Sequence, residues 1–129
     1  MKLLVDTQIL IWSTSTPERT PQAAQMLLED HGNILWFSVI NLWEVAIKRA
    51  LNKAEFTIDV GPWRESLFDA GFQELPILSR HVFSLTGLPM LHKDPFDRLL
   101  LAQAIAENML LLTTDSVLAS YPGPIRHFK

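Results

Sequence analysis

Two aspartates stand three residues apart at the start of a strongly apolar stretch, "HKDPFDRLLLAQA", residues 92–104. Asp94 directly precedes Pro95, and proline suits the first position of a helix, where its missing N–H would have no partner. Asp94 is therefore predicted to be the N-cap, with its carboxylate accepting backbone N–H groups. Asp97 falls in the first helical turn, so its carboxylate remains available for chemistry.

Three further acids stand at or beyond the ends of predicted strands. Asp6 directly follows one apolar run and Asp115 follows another, whereas Glu44 lies in the helix that comes after a third run. The helix of Asp97 leads into the strand that ends at Asp115. Because ligands of parallel sheets bind outside the carboxyl ends of the strands, we expect all four carboxylates at one rim.

Each acid also has a purely structural interpretation. Asp6 and Asp115 suit the N-caps of the segments that follow them. Glu44 suits an i,i+4 ion pair with Lys48, and Asp97 suits the positive end of a helix dipole. Four carboxylates at one edge nevertheless repel one another, and a divalent cation removes that repulsion. Oxygen ligands without histidine or cysteine favour Mg²⁺ or Mn²⁺ over zinc.

Short apolar runs alternate with helical patterns along the chain. Strands are predicted at 2–5, 34–38, 72–77, 109–114 and 124–128. Helices are predicted at 7–12, 21–32, 39–51, 62–70, 79–88 and 95–108. This alternation predicts an α/β fold with a central, mostly parallel sheet between two layers of helices. Ser38 is predicted to cap the helix of Glu44, and Trp43 in that helix is expected in the core.

The length of 129 residues and a hydrophobic content of 48% predict one folded domain over residues 1–129. The absence of cysteine excludes disulfides and thiolate metal sites, and it suits a cytoplasmic location. The first residues lack the pattern of a signal peptide. No apolar stretch reaches the roughly 20 residues of a membrane span, so no membrane association is expected.

The net charge of −3 argues against a nucleic-acid partner, since such proteins usually carry a basic surface. Setting aside the four acids of the rim leaves 14 − 4 = 10 acids against 11 basic residues, which weakens the objection. Lys48 and Arg98 are candidates for phosphate contacts, although each also suits an ordinary structural ion pair. His92 is expected to be a surface loop residue and no general acid.

Four stretches of the chain, taken together, resemble the PIN-domain family, in particular its toxin ribonucleases of VapC type. They are "LLVDT" with Asp6, "SVINLWEVAIK" with Glu44, "DPFDRLLLAQA" with Asp97 and "LLTTDSVL" with Asp115. They follow the family's order and approximate spacing. The resemblance implies a three-layer α/β/α domain, metal-dependent endoribonuclease activity, a small antitoxin partner and commonly a homodimer.

The resemblance assigns the acidic site, catalytic and metal-binding, to Asp6, Glu44, Asp97 and Asp115. Thr7 and Thr114 match neighbouring hydroxyl positions that support the ligands. A bound Mg²⁺ or Mn²⁺ offsets the charge of a phosphodiester, lowers the pKa of a coordinated water and stabilises the leaving oxygen. We expect Asp6 and Asp97 as the main direct ligands and Asp115 as an outer ligand, while Glu44 binds directly or through water. One metal ion or two both fit.

Two other functions remain open at this point. A phosphotransfer domain of receiver or phosphatase type also places an aspartate over Mg²⁺ at a strand end. The phosphatase pattern needs a second aspartate at position 8, which is Gln8 here. A PIN-like module that binds RNA or a protein without cutting is the non-enzymatic alternative, and metal-dependent RNA cleavage with and without EDTA distinguishes it.

Overall fold

The computed structural model describes residues 1–129. Its five strands are β1 (Lys2–Val5), β2 (Ile34–Ser38), β3 (Gln73–Leu75), β4 (Leu110–Thr113) and β5 (Ile125–His127). Its six α-helices are α1 (Thr7–Ser15), α2 (Gln22–Glu29), α3 (Val39–Ala50), α4 (Val60–Asp69), α5 (Ser79–Leu85) and α6 (Pro95–Glu107). Two short 3-10 helices cover Pro17–Arg19 and Leu118–Ser120. None of the helices combines the length and the apolar character needed to cross a membrane.

All strands pair in parallel, in the order β3-β2-β1-β4-β5. The chain leaves β1 towards β2 and later returns to β4 on its other side. The order therefore reverses between β1 and β4, and such a switch point leaves a crevice outside the carboxyl ends of the strands. Asp6 and Asp115 come directly after or close behind these two strands, so the topology brings both to the crevice.

The sheet is buried on both faces, as its continuous apolar strands predict. Leu3 and Val5 face a core that includes residues of α1, α2 and α4. Leu4, between them, faces a second core that is formed largely by α6. Because neighbouring side chains of a strand point to opposite faces, one short strand joins both cores. The predicted three-layer α/β/α architecture is confirmed.

The two predicted helix caps are present. The Ser38 hydroxyl accepts a hydrogen bond from the Ile40 N–H at 3.0 Å. The Asp94 carboxylate accepts from the N–H of Phe96 at 2.9 Å and from that of Asp97 at 3.4 Å. Such caps typically contribute about 1 kcal/mol each, and here they fix the starts of α3 and α6 beside the crevice.

The prediction that Trp43 lies in the core is wrong. Its side chain is 47% exposed and rests edge-to-face on Phe96, with ring centroids 4.8 Å apart. Ile47, on the same stripe of α3, and Leu51, directly after the helix, are also exposed. Helical spacing shows which residues share a face, but it does not show which face the rest of the protein covers. The covered face of α3 includes Glu44, the residue of chemical interest.

Candidate functional site

A cavity of about 300 Å³ opens at the carboxyl edge of the sheet. Ten residues line it: Asp6, Thr7, Gln8, Glu44, Lys48, Phe56, Asp94, Asp97, Thr114 and Asp115. The four acids expected at one rim thus lie together, and Asp94 adds a fifth carboxylate. Only one lining residue is hydrophobic, so the cavity suits a charged ligand better than an apolar one.

Asp6 is buried at the end of β1 and is fully hydrogen-bonded. One carboxylate oxygen accepts from the Ile9 N–H at 3.0 Å, which makes Asp6 the N-cap of α1. The other accepts from the Thr113 hydroxyl at 2.5 Å and from the Thr114 N–H at 3.2 Å. Burial raises the pKa of Asp6 to about 6, even though these hydrogen bonds oppose the rise.

Glu44 is held by partners on both of its carboxylate oxygens. The Thr7 hydroxyl donates to Oε1 at 2.6 Å, and the Lys48 ammonium donates to Oε2 at 2.5 Å. The Asn41 amide in turn donates to the Thr7 oxygen at 2.9 Å. Because Thr7 receives that hydrogen bond, its own proton is directed at Glu44, and the carboxylate is fixed in one orientation.

Lys48 lines the cavity and forms an ion pair with Glu44. Burial alone would lower the pKa of Lys48, but the hydrogen bond and attraction to Glu44, together with the charges of Asp94 and Asp97, raise it. The ammonium also lies 3.9 Å from Asp94. Arg98, the other predicted phosphate contact, does not line the cavity; its guanidinium donates to the Leu88 carbonyl at 3.4 Å.

Among the acids of the site, Asp97 has the pKa that is raised furthest above its ordinary value. Its side chain is 15% exposed and lies among carboxylates. Burial raises the pKa of Asp97 to about 8, and repulsion by Asp94, Glu44 and other acids of the cavity adds to the rise. At neutral pH the site therefore binds extra positive charge favourably, either a proton or a cation.

His92 is the residue that the sequence placed wrongly. It was expected on the surface, yet its Nε2 lies 2.9 Å from Asp97 and 3.2 Å from Asp115. The Tyr121 hydroxyl accepts from the backbone N–H of His92 at 2.9 Å and of Leu91 at 3.1 Å. These two hydrogen bonds tie the loop of His92 to the segment after the second 3-10 helix, so the imidazole lies against Asp97 and Asp115 at the border of the cavity.

Asp115 serves both the local backbone and the cavity. Its Oδ1 accepts from the N–H groups of Val117 and Leu118 at 2.8 and 3.1 Å, while its Oδ2 faces His92. Burial alone would raise the pKa of Asp115, but these hydrogen bonds outweigh burial and lower it. The carboxylate therefore stays ionised over a wide range of pH.

The tightest potential metal-binding group consists of His92, Asp97 and Asp115, whose ligand atoms all lie within 4.8 Å of one another. It contains an imidazole nitrogen beside the carboxylate oxygens on which the sequence prediction rested. It does not include Asp6 or Glu44, which border the same cavity. The structure thus gathers the four predicted acids in one cavity, with Asp115 and Asp97 both in contact with His92.

The supporting hydroxyls are partly as expected. Thr7 bonds Glu44, whereas Thr114 contributes its backbone N–H to Asp6. The hydroxyl that supports Asp6 belongs to Thr113, which also accepts the Asp115 N–H at 3.0 Å. The register pairs Val5 with Leu112, so the next residue on each strand meets at the edge. A prediction of this register would have identified Thr113 as the residue beside Asp6.

A parallel α/β/α sandwich with clustered carboxylates at its switch point belongs to the class of α/β domains that bind charged ligands at the carboxyl edge of the sheet. The particular family follows from the chain itself. The model of the PIN domain matches residues 3–124, and the protein belongs to the PIN domain family.

Known relatives agree with this assignment. Ribonuclease VapC22 of Mycobacterium tuberculosis (strain ATCC 25618 / H37Rv) is 28% identical over 123 residues, which cover 95% of this chain and 93% of that one. VapBC2 from Rickettsia felis, solved with a promoter DNA fragment, superposes with a TM-score of 0.71 at 18% identity and full coverage of both chains. A toxin-antitoxin complex from Klebsiella pneumoniae gives a TM-score of 0.54 at 18% identity, covering 96% of this chain and 95% of that one.

Proposed function

We propose that this protein is a Mg²⁺- or Mn²⁺-dependent endoribonuclease that acts in the cytoplasm as the toxin of a toxin–antitoxin pair. The observation that carries the proposal is Asp97, a largely buried carboxylate surrounded by other acids in a cavity open to solvent. The name of the mycobacterial relative supports the reaction class. Membership of the PIN domain family supports the position of the site.

The residues of the cavity fit a divalent cation. Asp97 has no lysine or arginine side chain within hydrogen-bonding distance, and its side-chain contact is with His92. Burial and the neighbouring acids raise the pKa of Asp97, which supports a site that favours a bound cation. We assign direct metal binding to Asp6 and Asp97, with Asp115 and Glu44 completing the set and His92 beside them. When bound, the cation supplies activation of water and neutralisation of phosphodiester charge.

The protein's own groups then hold this arrangement in place. Asn41 and Thr7 fix the orientation of Glu44 through successive hydrogen bonds. The Thr113 hydroxyl links the Asp6 carboxylate to the Asp115 backbone. Side chains that are fixed before the substrate arrives need no reorganisation during the reaction, which is the main advantage of a preorganised site.

The proposed partner is a small antitoxin. The Klebsiella structure is described as a toxin-antitoxin complex, and the acidic cavity is a natural receptor for an inserted arginine or lysine. One inserted cation would neutralise the carboxylates and block access at once. In a structure of the complex we expect a basic side chain within 4 Å of the acids that line the cavity. A partner that touches none of them would contradict this mode of inhibition.

We also propose a homodimer, supported by an exposed apolar stripe that consists of Trp43 and Ile47 on α3 and of Leu51 directly after it. Exposed apolar stripes of this kind commonly mark protein contacts. Ile47→Glu should shift the molar mass measured by light scattering from dimer to monomer. Met26→Glu, at a still more exposed apolar residue of α2, is the control. A dimer that survives Ile47→Glu would place the interface elsewhere.

The decisive experiment for the activity is cleavage of a mixed RNA by the purified protein in Mg²⁺, in Mn²⁺ and in EDTA. We expect internal cleavage that EDTA abolishes. Asp97→Asn should eliminate cleavage, whereas Asp94→Asn, which keeps the cap, should retain it. Cleavage that persists in EDTA would refute metal dependence, and RNA binding without cleavage would favour a PIN-like binding module.

A further inference from the structure

The acidic cavity cannot hold an RNA backbone by itself, because it carries the same sign of charge as the phosphates. Binding of single-stranded RNA requires cationic groups along its path. The two candidates taken from the sequence do not provide them: Lys48 is ion-paired with Glu44, and Arg98 lies outside the cavity. Free cations near the cavity must therefore be sought on neighbouring elements.

A groove of about 370 Å³ lies beside the edge strand β5. Its lining residues are Pro21, Gln22, Ala23, Arg126, His127, Phe128 and Lys129. None of them is acidic. Arg126 and Lys129 are exposed and neither forms an ion pair. Their charges are therefore available to a ligand, unlike that of Lys48.

This groove, which we call the β5 groove, adjoins the acidic cavity. β5 pairs with β4, and His127 stands opposite Thr113 in the register. The His127 Nε2 lies 3.3 Å from the carbonyl oxygen of Thr114, a residue that lines the cavity. The β5 groove and the acidic cavity therefore meet at Thr114 and His127. An RNA strand that lies across the carboxyl edge of the sheet contacts both.

The basic side chains of the β5 groove are partly organised in advance. The Arg126 guanidinium lies 6.0 Å from the centre of the Phe128 ring, and Phe128 itself is buried in the core. Stacking of this kind restricts the arginine while leaving its N–H groups free for hydrogen bonds. Arginine held in this way suits phosphate oxygens, which it can bind through two parallel hydrogen bonds.

We propose that the β5 groove is the phosphate-binding surface that guides single-stranded RNA into the acidic cavity, with Arg126 and Lys129 as its main contacts. The proposal rests on the proposed function, since it names a surface for the same substrate. It also resolves the conflict between a net charge of −3 and a nucleic-acid ligand. The positive charge that contacts RNA is confined to the β5 groove, which lies on the side of the cavity away from α3.

The test uses the full chain carrying Asp97→Asn, so that RNA is bound in Mg²⁺ without being cleaved. Affinity is measured by fluorescence anisotropy with a labelled RNA of about 15 nucleotides, long enough to span groove and cavity. Arg126→Gln and Lys129→Gln should each raise Kd about three- to tenfold. Each should also reduce the slope of log Kd against log salt concentration by about 0.7, the value for one lost phosphate contact on a single strand.

Lys2→Gln is the matched control. Lys2 is exposed at the amino edge of the sheet, where its ammonium donates to the Glu107 carbonyl, and the substitution removes the same charge. The Kd of this variant should stay within about twofold of that of the Asp97→Asn protein, because salt screens a charge at the opposite edge of the sheet from the β5 groove. Equal shifts in all three variants would overturn the proposal by showing an effect of net charge only.

Two further outcomes would also overturn it. One is unchanged RNA affinity in both groove variants. The other is unchanged RNA affinity together with lost binding of a co-purified protein partner, which would assign the groove to that partner. Cleavage is recorded separately with the protein that has an intact Asp97. If that protein binds RNA through the groove but does not cut it, the proposed nuclease function fails while the β5 groove stands.

Discussion

The two ends of helix α6 carry acids in opposite electrostatic states. Asp97 lies in the first turn, where the helix dipole favours negative charge, yet its pKa is raised to about 8. Glu107 lies in the last turn, where the dipole disfavours negative charge, yet its pKa is lowered to about 2. The dipole predicts the reverse order, so the neighbouring side chains decide the outcome.

The neighbours differ in kind. Glu107 receives two hydrogen bonds from the Arg80 guanidinium, at 2.6 and 3.1 Å, and lies 2.8 Å from the Nε2 of the buried His81. Asp97 has burial and like charges around it, with only His92 as a partner. The charge of Glu107 is thus offset by neighbouring basic side chains, whereas the acids around Asp97 leave its charge without such compensation. This contrast is what the predictions below test.

The largest expected difference is in catalysis. Asp97→Asn should reduce single-turnover RNA cleavage by about a hundredfold or more, since the loss of a metal ligand removes several kcal/mol of transition-state stabilisation. Glu107→Gln, the equivalent change at the other end of α6, should retain cleavage. Equal losses of cleavage in the two variants would show that both substitutions act by disturbing the fold and not by removing a group from the site.

The next largest difference is in the metal-free stability and its dependence on pH. Asp97 binds its proton more tightly in the folded state, so its contribution to stability falls as pH rises from about 4 to 8. Asp97→Asn should therefore raise the free energy of unfolding by about 1–3 kcal/mol at pH 8 in EDTA. Urea denaturation at several pH values measures it, and a gain that does not grow with pH would contradict the assignment.

Glu107 should behave in the opposite sense. Its folded-state pKa lies below its ordinary value, so its contribution is complete above about pH 4.5 and is lost as the pH falls towards 2. Glu107→Gln should lower the melting temperature at pH 7, and the difference from the unsubstituted protein should shrink in acid. The same melting curves, recorded from pH 7 to about pH 3, decide the point.

Metal binding should produce a moderate shift in stability. Mg²⁺ or Mn²⁺ should raise the melting temperature in proportion to log concentration once the cation is in excess, because it binds only the folded state. Both Asp6→Asn and Asp97→Asn should reduce the shift, and Glu107→Gln should leave it unchanged. An equal shift in all of these proteins would place the metal outside the cavity.

The smallest expected effect concerns the cap of α6. Asp94→Ala should cost about 0.5–2 kcal/mol of stability, whereas Asp94→Asn, which caps about as well, should cost little. Both proteins should still cleave RNA when folded. Cleavage lost in Asp94→Asn but kept in Asp97→Asn would mean that the two aspartates have exchanged roles.

Periodicity and the rules for parallel sheets were sufficient to predict the strands, the layers and the meeting of four acids at one edge. They were not sufficient for His92, because its place depends on the Tyr121 hydroxyl of a distant segment holding the loop. They also failed for Trp43, because helical spacing shows that apolar residues share one face but does not show whether the rest of the protein covers that face. The pairing of Lys48 with Glu44 was visible as spacing, but only side-chain positions show that the pair lies inside the cavity.

The hydrogen bond between Asp6 and Thr113 joins residues 107 positions apart. Asp6 directly follows β1 and Thr113 is the last residue of β4, so the two strands can pair only after β4 has been made. A ribosome that has synthesised the first hundred residues therefore holds the carboxylates of Asp6 and Glu44 without Asp115. Long-range parallel pairing of this kind is also slow to form. The acidic site is consequently complete only once β4 and the residues after it have joined the sheet, and a chain made only as far as α6 presents no complete cavity to any RNA nearby.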